Sequence, residues 1–154
     1  MRKAWPQYFM DLAHIASTRS TCARRKVGAV IVNELTRAVI STGYNGSLPG
    51  APHCEDAGCT IEDNHCIATI HAETNAINQA ARNGSPLNNA VIYCTSKPCW
   101  NCFKNIIQSG ITSIYYDSDY LNSNISHLLY LNFLNNNPHI IFHHIKKEGP
   151  NENY

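Results

Sequence analysis

The chain has 154 residues, of which 44% are hydrophobic and 15% charged, and carries a formal net charge of +1. That length suits one domain with a real core, falls short of two ordinary domains, and the composition excludes a disordered chain. The near-neutral balance gives no basic stripe and argues against a nucleic-acid partner held by charge.

The opening "MRKAWPQYFMDLAHIA" has no signal-peptide core, because Trp5, Pro6, Gln7 and Asp11 interrupt it. No apolar run approaches membrane-spanning length, so the expectation is a cytoplasmic protein without a membrane partner. Residues 6–19 read as an amphipathic helix with Tyr8, Phe9, Leu12, Ala13, Ile15 and Ala16 on one face. "VGAVIV" (27–32) and "AVISTGYNG" (38–46) read as two strands of a hairpin joined by the polar "NELTR". Residues 46–70 have no period but carry three cysteines and two histidines. Such an aperiodic stretch is functional or disordered, and its composition favours function.

A helix is predicted over about 72–83, a strand over 90–95, and a helix over 100–109 that stops at Gly110. A strand over 112–117, a helix over 125–136 and a last strand over 139–145 follow. The alternation predicts an α/β sandwich on a mixed sheet. One domain is expected over residues 1–146, followed by a loose polar tail over 147–154.

Seven cysteines stand at positions 22, 54, 59, 66, 94, 99 and 102. An odd count without a secretion signal argues for metal binding over disulfides. His71 falls at one predicted helix start and "PCWNC" (98–102) at the next, so both starts face one pocket. His71, Cys99 and Cys102 suit a tetrahedral zinc, and helix N-termini favour thiolate. Three protein ligands leave a position for water, and Glu73 stands two residues on as a proton carrier. This is the H-x-E…P-C-x-x-C signature of zinc nucleoside and nucleobase deaminases. A four-ligand structural zinc using another cysteine is the alternative, but it gives Glu73 and Pro98 no task.

Over about residues 5–117 the chain resembles the deoxycytidylate (dCMP) deaminases of the zinc-dependent cytidine deaminase fold. The resemblance is carried by "WPQYFM" (5–10), "KVGAVIV" (26–32), "TGYNGSLPG" (42–50), "HAETNAI" (71–77), "PCWNC" (98–102) and "IIQSGI" (106–111). It implies a three-layer α/β/α sandwich around a mixed sheet of about five strands. It also implies the hydrolysis dCMP + water → dUMP + ammonia, with water activated at a catalytic zinc attacking C4 of cytosine and Glu73 protonating N3 and the amine. Asn45 would touch the sugar, the Ala72 N–H and the carbonyl near Ser96 the pyrimidine edge, and Tyr120 the phosphate region. Arg24, Arg25 and Lys26 are candidates for phosphate or effector. Asn45 can equally be a turn residue, and Arg24 and Arg25 a solvated pair.

The resemblance further implies a second, structural zinc. Cys22 and Cys54 fit it, with His65 and Cys66 as first candidates for the remaining ligands and Cys59 in reserve. It implies a homo-oligomer, hexamer or dimer, with dCTP (with Mg²⁺) and dTTP as effectors, and Arg82 on a helix that lies at the subunit interface in the family. Competing readings are a deaminase acting on dCTP or on a nucleic-acid base, or a competence-type deaminase-like binding protein.

Overall fold

The computed structural model describes residues 2–120 and 124–145; the expected tail at 147–154 lies outside the described residues. Helix α1 (Trp5–Ser17) begins with Pro6 in its first turn, where the missing N–H costs nothing. Its buried residues are Phe9, Met10 and Ala13, while Tyr8 and Ile15, expected on that face, are exposed. The stripe at spacings of one and four is what a single helix presses onto two strands.

Those strands are β1 (Gly28–Asn33) and β7 (Ala90–Ser96). With β2 (Val39–Tyr44), β8 (Ser113–Ser118) and β9 (Ile141–His144) they form a five-stranded sheet in the order β2-β1-β7-β8-β9. β1 is antiparallel to β2 and β7, whereas β7, β8 and β9 run parallel, so the sheet is mixed. Period-two alternation divides the core. Val30, Val32, Val91 and Tyr93 pack with Phe9, Met10 and Ala13 of α1. Ala29, Ile31, Ile92 and Cys94 join the opposite cluster. That cluster takes in Ala72 and Ala76 of α3 (Ala72–Arg82), Phe103 and Ile106 of α4 (Trp100–Gln108), and Tyr130 of α5 (Asn124–Asn136). The result is the expected three-layer sandwich.

α3 and α4 stop by the same device. Gly84 (φ 65°) and Gly110 (φ 90°) are left-handed. Ser85 N–H reaches Ala80 O at 2.9 Å and Ile111 N–H reaches Ile106 O at 3.3 Å. These are Schellman closures, with Gly110 one place past the C-cap Ser109.

Residues 46–70 carry elements too short to show a period. β3 (Gly46–Ser47) pairs with β6 (Thr69–Ile70), and α2 (Cys54–Ala57) is a single turn. β4 (Ile61–Glu62) and β5 (His65–Cys66) form a hairpin whose turn residues Asp63 and Asn64 both have positive φ, as a two-residue type I′ turn requires.

Candidate active site

α3 begins just past β6 and α4 just past β7, and their first residues meet. His71 is the N-cap of α3 and Cys99 the N-cap of α4. His71 Nδ1 lies 3.5 Å from Cys99 Sγ and 3.4 Å from Cys102 Sγ. A tetrahedral zinc with ordinary Zn–N and Zn–S bonds needs N···S edges of about 3.5 Å, so the three donors fit that ion. Cys99 Sγ also accepts the Cys102 N–H at 3.5 Å, which fixes the spacing of the C-x-x-C turn. The Cys99 thiol is held down to about 4, chiefly because the Cys102 thiol donates to it, with His71 adding to the effect. Bonding to that thiolate pushes Cys102 up, and the same thiolate raises His71.

Glu73 lies in the first turn of α3, 4% exposed, and is not one of the three clustered donors. Burial raises its carboxyl above the usual range, opposed by its own backbone N–H and by His71. It is thus a buried carboxyl whose protonated form burial favours, beside a metal-fitting triad.

Two glycines allow these approaches. A Cβ on Gly43 would stand 2.2 Å from Ala72 O and 2.5 Å from Ala76 N, so α3 lies directly on β2. A Cβ on Gly28 would stand 2.0 Å from Ala13 O, which sets α1 on β1 in the same way.

His71, Glu73 and Cys99 open into a cavity of about 670 Å³ that Asn45, Ala72, Ser96 and Tyr120 also line. The Asn45 side chain is already engaged: Oδ1 accepts from Ser20 Oγ at 2.7 Å and from Val27 N–H at 2.8 Å, and Nδ2 donates to Arg25 O at 2.8 Å. It therefore ties residues 20–27 to the cavity wall and keeps one amide hydrogen for another partner. Ser96 is 4% exposed and its Oγ has no hydrogen-bond partner among the described residues. The sequence pointed to its carbonyl and not to this hydroxyl.

Of the three expected cations, Arg24 and Arg25 line the cavity and Lys26 does not. Arg24 bonds Asn64 O at 3.1 Å and Asn64 Oδ1 at 3.3 Å, which pins the β4–β5 turn. Lys26 pairs with Glu55 at 3.6 Å and does not line the cavity. Arg25 lines it, bonded to Ser118 Oγ at 3.3 Å and stacked over Tyr120 at 5.6 Å. Lys97, which the sequence reading passed over, also lines it. Trp100 packs against Phe103 and Tyr130.

A second group of donors forms in the 46–70 segment. Cys54, Cys59 and Cys66 bring their sulfurs within 4.8 Å of one another, with Cys54 and Cys66 at 3.7 Å. The S···S edge of a tetrahedral zinc–thiolate site is about 3.8 Å. The set departs from the expected one. His65 and Cys66 are adjacent on β5, so their side chains leave opposite faces. Cys66 joins the cysteines, while His65 Nδ1 meets the Tyr120 hydroxyl at 3.2 Å. Cys59 takes the third place, and Cys22, buried nearby, stands outside the group of three. Among the described residues no helix is long and apolar enough to cross a membrane.

Comparison with known proteins agrees with this geometry. Residues 3–118 match the family described as the cytidine and deoxycytidylate deaminase zinc-binding region. The chain is 50% identical over 119 residues to ComE operon protein 2 of Bacillus subtilis, and 40% identical over 126 residues to the deoxycytidylate deaminase of Saccharomyces cerevisiae. These matches cover 77% and 78% of this chain but only 62% and 39% of those proteins, so the chain spans part of their length. The crystal structure of the dCMP deaminase of cyanophage S-TIM5 in complex with dCMP and dUMP superposes with a TM-score of 0.73 at 28% identity, covering 95% of this chain and 98% of that one. With its zinc-fitting triad, its buried glutamate and this match over most of its length, the chain belongs to the cytidine and deoxycytidylate deaminase family.

Proposed function

We propose that the protein hydrolyses dCMP to dUMP and ammonia in pyrimidine deoxynucleotide metabolism. The observation that carries the proposal is the buried Glu73 beside the His71, Cys99 and Cys102 donors, with Glu73, His71 and Cys99 lining one cavity that cations also line. A zinc ion in a three-ligand site supplies Lewis-acid activation of water at neutral pH. Glu73 takes one proton from the attacking water and delivers it to N3 of the cytosine ring. It then moves the second to the exocyclic nitrogen, which leaves as ammonia while the water oxygen becomes the new carbonyl. The Ala72 N–H, in the unpaired first turn of α3, and the Ser96 hydroxyl hold the pyrimidine edge. Asn45 offers its remaining amide hydrogen to the sugar, and Tyr120 stands in the phosphate region.

Cys54, Cys59 and Cys66 hold a second, structural zinc in this reading, with Cys22 as the nearest further thiol. One catalytic domain covers residues 1–146. A nucleotide substrate and reduced thiols fit a cytoplasmic enzyme. Family resemblance supports a homo-oligomer with dCTP, accompanied by Mg²⁺, and dTTP as effectors. A second reading is a deaminase-like domain serving as a binding protein; it is kept because the relative that is 50% identical, ComE operon protein 2, is named for an operon and not for a reaction. The test is ammonia release from the zinc-loaded protein with dCMP, dCTP, deoxycytidine and a cytosine-containing single strand, each with and without added dCTP and Mg²⁺. Turnover of dCMP supports the enzyme. Turnover of the strand or of nothing rejects it.

A further inference from the structure

Lys97 sits between the last residue of β7 and the Pro98–Cys99 turn. Its ammonium lies 5.5 Å from the ring centre of Tyr116, 5.9 Å from that of Tyr130 and 5.4 Å from that of Phe142. Three ring faces hold a cation by their quadrupoles but do not neutralise it. Among the described residues Lys97 makes no ion pair with a carboxylate, and it is half-buried at the cavity that His71 and Cys99 also line.

Its position is fixed from a second side. Lys97 N–H donates to Ser118 O at 2.8 Å, and the Ser118 hydroxyl receives the Arg25 guanidinium at 3.3 Å. The Lys97 backbone and the Arg25 side chain thus meet at one residue, and Arg25 lies over Tyr120. Tyr130, one of the rings under Lys97, is itself locked by its hydroxyl bond to Pro98 O at 2.6 Å. A long cationic side chain that is packed on rings, not tied to an acid and carried by a residue of the cavity wall is pre-organised for an anion, because little of its freedom is left to lose.

We propose that Lys97 is a specificity-determining residue: with Arg25 it receives the phosphate of the nucleotide and separates the monophosphate from the free nucleoside. This rests on the dCMP reading above. The test uses zinc-loaded wild type, Lys97→Met, Lys97→Gln and Lys97→Arg. Calorimetry gives Kd for dUMP and for deoxyuridine, and ammonia release gives kcat and KM for dCMP. Lys97→Met and Lys97→Gln should weaken dUMP at least tenfold and raise KM for dCMP similarly, while deoxyuridine binding stays within twofold and Lys97→Arg within threefold of wild type for both ligands. Unchanged dUMP binding in Lys97→Met and Lys97→Gln, or equal loss of dUMP and deoxyuridine, overturns the role of Lys97 while the deaminase reading stands. Wild-type protein that neither binds dUMP nor releases ammonia from dCMP overturns both.

Discussion

Gly43 and Ala72 are in such close register that a single added methyl on Gly43 would overlap the Ala72 carbonyl, 2.2 Å away. Ala72 lies between His71 and Glu73, so the contact sets the height of both functional side chains above the sheet. Gly43→Ala should therefore act at the site as well as on the fold. Overpacking of this kind costs about 1–3 kcal/mol. Denaturant unfolding should report a loss at the upper end of that range, and zinc should be held more weakly in the fraction that folds.

Among the described residues the hydroxyls of Ser96, which lines the cavity, and of Ser47, which does not, are both buried without a partner. An unsatisfied hydroxyl costs stability, so Ser47→Ala and Ser96→Ala should each be neutral or stabilising by up to about 1 kcal/mol in thermal unfolding. Only Ser96→Ala should raise KM for dCMP, by about fivefold to tenfold, the worth of one neutral hydrogen bond. Equal kinetics for the two variants would remove Ser96 from the substrate.

The cysteine group makes a claim about metal content. Purified wild-type protein should carry two zinc ions per chain, one at each fitting donor set. Cys59→Ser should lose one of them, whereas His65→Ala should keep both, because the His65 ring is turned to Tyr120. Atomic absorption on the three proteins decides between this set and one that uses His65. The β4–β5 hairpin that carries Cys66 also puts Asp63, Asn64 and His65 into the cavity wall, so Cys59→Ser should also raise KM for dCMP.

The meeting of His71, Cys99 and Cys102 beside Glu73 was legible in the sequence because each half of it is local. His71 and Glu73 are two residues apart, Cys99 and Cys102 three, and each pair opens a helix with clear apolar spacing. The five sheet strands were legible from their short apolar runs between turn residues. The segment 46–70 was not, since its strands are two residues long and its turns rest on Asp63 and Asn64 in left-handed geometry. The burial of α1 was misread because Tyr8 and Ile15 are as apolar as the residues that do face the sheet. Lys97 was invisible because its aromatic partners come from β8, α5 and β9, and only the folded sheet brings them together.

The most direct test of the central claim is ammonia release from dCMP by Glu73→Gln, with zinc content measured on the same sample. The amide keeps the size and burial of the side chain but cannot carry protons. The variant should fold, retain its zinc and lose about a thousandfold or more in kcat. Near-normal turnover with zinc bound would contradict the assignment of Glu73 as the proton carrier, and with it the reaction proposed for this cavity.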